Sequence, residues 1–318
     1  MGAVSDSLIA RFAGDWQRLA PAGPVGLAVS GGPDSVALLL LMHEVAPRNF
    51  AVATVDHGLR RESAREAAMV ARLCAERGIS HQTLTISLAR GSAVQARART
   101  ARYAAMGDWA RANALPAIVT AHHADDQAET MAMRLNRAAG LRGLAGMRPI
   151  APVPECPDLT LLRPLLSWRR SDLAEVVQQT GIAPADDPSN RDHTYERVRL
   201  RDAMTSTDAF NPSGFAASAA YLAEADTALE WMVERLWQDV IVTSEGFTWN
   251  APTGLPRALS LRMLERLLTE FGSAAPRGPD LARWLDTLLC GGVATLGAVK
   301  ADARAGPWRF SRVPARKT

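Results

Sequence analysis

An α/β fold is predicted for the first two thirds of this chain: a mostly parallel sheet with helices on both faces. A small, mainly helical C-terminal domain is predicted to follow. Three observations lead there. Short apolar runs alternate with helical stretches from residue 25 to residue 181, the order that builds βαβ units. The junction at 28–40 reads AVSGGPDSVALLL, a strand that ends in glycines and opens directly into a helix. Polar motifs at 30–35, 56–57 and 122–123 all fall at predicted strand ends, and ligands of parallel sheets gather outside the carboxyl ends of the strands.

The elements follow in order. Residues 25–29 (VGLAV) read as a short buried strand, 30–35 as the loop and 36–45 as a helix. Residues 50–56 (FAVATVD) read as a second strand, and 62–78 has helical spacing that closes at Gly78. Residues 81–86 alternate like a strand, 93–114 read as a long helix, 117–123 (AIVTAHH) as a strand, and 125–140 as a helix closed by Gly140. A proline-rich stretch (149–157) and LTLLRPLLSW (159–168) lead into a helix at 169–181. Residues 203–214 (AMTSTDAFNPSG) look like a connection, so the predicted division is a catalytic domain over 1–205, a linker over 206–214 and a C-terminal domain over 215–318. In the last part, 215–240, 257–272 and 280–291 read as helices and 247–250 (FTWN) as a strand. The tryptophans and leucines after 215, Trp231 and Trp237 among them, read as core rather than as a base-stacking platform.

Composition narrows the class. The 318 residues carry a net charge of +3 and a pI near 9.0. Lysine occurs only at Lys300 and Lys317, so nearly every positive charge is arginine, whose fork suits phosphates. Cys74, Cys156 and Cys290 are far apart and form no C-x-x-C pair. That spacing argues against a zinc ribbon, an iron–sulfur cluster or a disulfide framework and fits a reducing cytoplasm. No apolar run approaches the ~20 residues of a membrane helix, and the N-terminus has no basic start followed by an apolar core. Neither a membrane partner nor a signal peptide is expected.

The loop at 30–35 carries the first chemistry. A strand ending in glycines before a helix makes a nest of N–H groups, to which the helix N-terminus adds partial positive charge. Gly31 and Gly32 allow backbone approach, and Ser30 and Ser35 bring hydroxyls. Asp34 would repel phosphate unless a Mg²⁺ ion lay between them. No lysine follows the glycines, which points to pyrophosphate leaving from a nucleotide rather than to γ-phosphate transfer. A glycine turn with a helix cap is the plainer alternative.

SGGPDS resembles the PP-loop signature of the ATP pyrophosphatases, which adenylate a substrate and release pyrophosphate. VDHGLRRES (55–63), AHHADDQAETMAMRLNRAAGLRGLAGM (121–147), LLRPLL (161–166) and DDPSNRDHTYERVRLR (186–201) then follow in order. Together they resemble the successive motifs of the tRNA(Ile)-lysidine synthetase family. Ala121 stands where that family often has glycine, and Val198 where many members have asparagine. The chain resembles the short form of the family, with one small domain after the linker.

The resemblance implies an adenine nucleotide alpha hydrolase-like fold, ATP and Mg²⁺, and a reaction in two steps. ATP adenylates the C2 carbonyl oxygen of the wobble cytidine in the CAU anticodon of tRNA(Ile). The ε-amine of free L-lysine then displaces AMP, and codon reading moves from AUG to AUA. A cytoplasmic location and a homodimer are also implied. Ser30, Gly31, Gly32, Pro33, Asp34 and Ser35, with Asp56 and His57, are expected to bind ATP. Asp34 is the expected Mg²⁺ ligand and Asp126 a second candidate. Asp34, Asp126, His123 and Arg102 form the expected catalytic set, and His122, Glu129, Arg134, Arg197, Arg199 and Arg201 are expected to meet lysine or tRNA.

The residues suit that chemistry. In-line attack at the α-phosphate rests on positioning and charge neutralisation. Free lysine, with a pKa of ~10.4, must then lose a proton, and a carboxylate or histidine of the 122–129 cluster is placed to take it. A zinc site is a rival reading of His-His-x-x-Asp, but no cysteine or third histidine lies nearby. A helix cap by Asp125 or Asp126, with Glu129 closing a capping box, is compatible with either reading. Two other functions compete. A tRNA sulfurtransferase would need a persulfide cysteine or a cluster, and a non-catalytic RNA-binding module would not need the aspartates.

Overall fold

A computed structural model describes residues 2–58, 61–87, 94–185, 192–274 and 276–313. Motif positions 59–60 and 186–191 lie outside the described residues. The chain forms two compact units, 1–223 and 224–318.

The first unit contains, in order, α1 (Asp6–Gln17), β1 (Val25–Ala28), α2 (Pro33–Val45), β2 (Phe50–Asp56), α3 (Arg61–Ala75), β3 (His81–Thr85), α4 (Val94–Ala112), β4 (Ala117–Val119), α5 (Ala124–Leu135), α6 (Leu141–Leu144), β5 (Ile150–Val153), β6 (Cys156–Leu162), α7 (Arg170–Thr180) and α8 (Glu196–Thr205). Its sheet runs β3-β2-β1-β4-β6-β5. All pairs are parallel except the edge hairpin β5–β6.

Both faces are covered, and the strands alternate between two cores. Val25 and Leu27 of β1, Val52 of β2, Val119 of β4 and Leu162 of β6 join α1, α2, α3 and α7 in one core. Ala53, Ile118 and Leu161 point the other way, toward Tyr103, Met106 and Trp109 of α4. Helix α2 is buried along Ser35–Met42, as expected of a helix that is apolar all round. Gly26 lets α4 approach closely, since a Cβ there would stand 2.4 Å from Trp109. The parallel order places the ends of β1, β2, β4 and β6 on one rim.

Three element boundaries differ from expectation. The strand at 117–123 stops at Val119; the Thr120 amide still bonds the Leu162 carbonyl at 3.0 Å, and His123 is already the N-cap of α5. The helix expected to reach 140 ends at Leu135, and Ala138 turns the chain with φ 53° before α6. The proline-rich stretch before LTLLRPLLSW proves to be the hairpin β5–β6.

The second unit begins inside α9 (Pro212–Trp237) and continues with β7 (Val240–Thr243), β8 (Gly246–Trp249), α10 (Arg257–Glu270), α11 (Gly278–Leu289), β9 (Val293–Leu296), β10 (Val299–Asp302) and β11 (Trp308–Arg312). Besides its helices it carries an antiparallel sheet ordered β7-β8-β11-β10-β9, of which only β8 was legible beforehand. Trp249 and Trp308 meet edge to face at 5.5 Å in its core, and Trp284 meets Phe310 at 5.8 Å. Trp231, expected in the core, is exposed. The segment 206–211 joins α8 to α9, so the units part within α9 rather than within 206–214.

Candidate active site

The glycine loop joins β1 to α2. Gly31 has φ 93°, a conformation that a side chain disfavours. Gly32 is the N-cap and Pro33 the first helical residue. The Ser35 hydroxyl holds this loop from inside. It accepts the amides of Ser30 and Gly31, each at 3.2 Å, and donates to the Gly32 carbonyl at 2.9 Å. The Ser30 hydroxyl is 3.2 Å from it. Ser35 is therefore a pin of the loop, and Ser30 is the hydroxyl exposed at its mouth.

Asp34 and the histidine motif meet because β1 pairs with β4. His123 has no exposed surface. Its Nε2 lies 3.4 Å from Asp34 and 3.5 Å from Asp126, and its Nδ1 lies 3.6 Å from Asp125. Burial works against a charge on His123, but Asp34 and Asp126 outweigh it and raise its pKa above the ordinary histidine value. Asp126 also accepts the His123 amide at 3.1 Å, closing a capping box at the start of α5. The capping box differs from the expected one: His123 is the N-cap and Asp126 closes the box, while Glu129 is taken by arginines.

His122 behaves in the opposite way. Burial, helped by Arg163, Arg102 and Arg197 and opposed by Asp126, pushes its pKa down to about 3. The imidazole is neutral and shares a 2.8 Å hydrogen bond with the Thr120 hydroxyl.

A second layer of charge is built around α5. Glu129 is 2% exposed and is held by Arg197 (2.5 Å), Arg201 (2.7 Å) and Arg170 (3.5 Å). Arg197 also bonds Asp126 at 2.8 Å. Asp125 accepts both arms of Arg169 at 3.2 Å and the Arg170 amide at 2.8 Å. Burial is the largest influence on Asp125, yet Arg169 and Arg170 hold its carboxyl below the usual range. A cleft of about 530 Å³ opens here, lined by Asp125, Glu129, Arg169, Arg170, Arg201 and Phe210, among others.

Other expected site residues are placed as follows. Asp56 ends β2 and accepts hydrogen bonds from Ser63 and from the Gly58 amide (2.9 Å), which hold its carboxyl below the usual range. His57 follows it on the same rim. Arg102 lies with its guanidinium carbon 5.2 Å from the ring centre of Tyr103. Arg134 donates to the carbonyls of Gly143 and Gly146, and Arg199 to those of His193 and Thr194. Both tie loops together.

Sequence reading missed the roles of Arg163, Arg169 and Arg170. A signal was present: two arginines at the start of α7 oppose the helix dipole, which calls for nearby carboxylates. Asp125 and Glu129 supply them, Asp125 to Arg169 and Glu129 to Arg170.

A glycine nest, an aspartate beside it and a charged rim at the carboxyl end of a parallel sheet define a nucleotide-binding α/β domain. The PP-loop domain family matches residues 7–207. A U34-tRNA thiolase from Methanococcus maripaludis shares this fold, with TM-score 0.56 and 14% identity over 70% of this chain and 80% of that one. A tRNA(Ile)-lysidine synthase of Novosphingobium aromaticivorans is 65% identical over 99% of this chain and 97% of its own. One from Zymomonas mobilis is 41% identical over 93% and 90%. The chain belongs to the tRNA(Ile)-lysidine synthase family.

Proposed function

We propose that this chain is an ATP-dependent enzyme that joins free lysine to C2 of the wobble cytidine in the CAU anticodon of tRNA(Ile). The observation that carries the reading is the convergence of Asp34, His123 and Asp126 at the glycine nest, in a chain 65% identical over 99% of its length to a lysidine synthase.

The N-terminus of α2, with the Ser30 hydroxyl at the mouth of the loop that Ser35 pins, receives the leaving pyrophosphate. Asp56 and His57, at the neighbouring strand end, adjoin the adenosine. His123, in contact with both carboxylates, holds Asp34 and Asp126 in register. The donor set fits Mg²⁺: Asp34 has a buried Oδ1 without a hydrogen-bond partner, and hard oxygens, one or two carboxylates with phosphates and water, are what this ion takes. Asp34, with Asp126, would hold it, and it would supply neutralisation of pyrophosphate charge.

Lysine is assigned to the cleft beside α5. Arg169, Arg170 and Arg201 offer cations to its carboxylate, and Asp125 offers an anion to an ammonium. His122 is the neutral imidazole at the rim, placed to accept the proton released when the amine attacks. Burial holds this imidazole neutral first of all, and an incoming phosphate would offset only the smaller part due to Arg163, Arg102 and Arg197. We place the enzyme in the cytoplasm as a homodimer, with the 224–318 unit contacting tRNA.

The rival sulfur-transfer reading finds no reactive thiol in the catalytic unit. Cys74 and Cys156 are buried, and burial pushes the Cys74 thiol up to about 11. Transfer of labelled lysine to an isoleucine tRNA transcript with a CAU anticodon tests the proposal, beside a methionine tRNA and Asp34→Ala. Label on the isoleucine tRNA alone, absent with the variant, supports it. Pyrophosphate release without label makes lysine the wrong nucleophile. Neither signal, from folded protein, removes the enzymatic reading.

A further inference from the structure

Arg163 and Arg262 are the two arginines with less than a tenth of their surface exposed, at 7% and 9% among the described residues. They are balanced differently. Arg262 donates to both Asp226 and Glu230. Arg163 follows β6 and has no carboxylate partner among the described residues. Its guanidinium donates to the Arg148 carbonyl at 2.7 Å, and its Nε has no acceptor. Arginine does not shed its proton to escape burial. Burial and the nearby Arg99 both work against the charge, with only Tyr103 opposing. A buried cation with no counter-charge is costly.

More donors gather at the same place. The guanidinium carbons of Arg99 and Arg102 lie 5.1 and 5.2 Å from the centre of the Tyr103 ring. Neither has a carboxylate partner among the described residues. The Tyr103 hydroxyl is buried and has no hydrogen-bond partner. Three cations and a phenol therefore meet with no anion among the described residues, whereas at α5 each buried carboxylate is matched by arginines.

We infer that Arg99, Arg102, Tyr103 and Arg163 form a phosphodiester subsite for the RNA strand, separate from the glycine nest. The fold separates the two. Leu162 faces the α2 side and Leu161 the α4 side, so period-two alternation returns residue 163 to the α4 side. The order β1-β4-β6 puts Arg163 two strands from the loop that follows β1, roughly 10 Å away at the usual strand spacing. Pyrophosphate seated at the start of α2 lies on the other face. An RNA strand that brings one base to the α-phosphate carries its own phosphates past the neighbouring strand end, where arginine forks bind them two-point.

The inference rests on the lysidine-synthase reading for the identity of the RNA. Its test compares wild type, Arg99→Ala, Tyr103→Phe and Arg163→Met for binding to the isoleucine tRNA transcript across a salt series, with KM for ATP measured in parallel. Arg99→Ala and Arg163→Met each weaken tRNA binding about 10-fold and lower the slope of log K against log salt by about 1. Tyr103→Phe weakens binding about 3-fold, and KM for ATP stays put in all three. A raised KM for ATP with unchanged tRNA affinity puts the nucleotide on the cluster and overturns the inference. Unchanged affinity and slope in folded variants make the cluster structural and also overturn it. If Arg163→Met does not fold, the exposed Arg99 and the conservative change at Tyr103 decide. Wild type that neither binds nor modifies the tRNA removes both readings, whereas active wild type with indifferent variants removes this one alone.

Discussion

The carboxylate of Asp34 lies 3.4 Å from Nε2 of His123. The two residues are far apart in sequence and meet because β1 and β4 are neighbours in the sheet. This contact fastens the glycine loop to the start of α5, and through Asp126 to Arg197 of α8. Substitution at Asp34 therefore tests chemistry more than stability, for its side chain is about a third exposed. Asp34→Asn is expected to lower lysine transfer by about 10²–10³-fold, with the thermal midpoint little changed. A matching loss of both quantities would count against a catalytic role.

Glu129 makes the opposite prediction. It is a buried carboxylate facing three guanidiniums, and removing one partner of such a set costs about 3–5 kcal/mol. Glu129→Ala is expected to lower the midpoint of the unit that contains it by about 6–20 °C, read by calorimetry. Arg201→Ala, which leaves Arg197 and Arg170 in place, is expected to cost less. Equal midpoints for wild type and Glu129→Ala would show that the network carries little stability.

The adjacent histidines give pH dependences of opposite sign. The folded-state pKa of His123 is raised, so its contribution is complete below the unfolded value of ~6.5 and is lost as pH rises through the folded value. That of His122 is depressed to about 3, so its contribution is present above ~6.5 and is lost as pH falls toward 3. In unfolding midpoints across pH, His123→Asn is expected to flatten the alkaline limb and His122→Asn the acid limb. Variants that leave both limbs unchanged would assign the pH dependence to other groups.

Close packing of α4 predicts a different sensitivity. An added Cβ at Gly26 meets Trp109 at 2.4 Å, and one at Gly107 meets the Cys156 sulfur at 2.2 Å. Gly26→Ala is expected to destabilise by about 1–3 kcal/mol through overpacking. The companion change Trp109→Leu is expected to restore part of the loss, a coupling that a double-mutant cycle measures.

The proposed lysine transfer needs no thiol. Cys74→Ala and Cys156→Ala are expected to retain lysine transfer, and alkylation at the exposed Cys290 is expected to leave it unchanged. Loss of transfer on alkylating Cys290 alone would bring a cysteine into the mechanism.

Local pattern determined much of this protein. Apolar runs with period two, the glycine turn before an apolar helix, and the order of the motifs were enough to lay out the parallel sheet and to bring the polar motifs to one rim, because strand direction follows from βαβ connection. Belonging to the lysidine synthase family was legible for the same reason: its motifs are local strings. The C-terminal strands β7, β9, β10 and β11, of four or five residues each, were not read, although β8, equally short, was. The charge pairing could not be read at all. Nothing in their spacing says that Glu129 takes Arg197 and Arg201, that Arg134 and Arg199 serve backbone carbonyls, or that the pKa values of His122 and His123 move in opposite directions. Those outcomes depend on which side chains the fold buries together, and burial without water is what makes one arginine a structural tie and leaves another, Arg163, waiting for an anion.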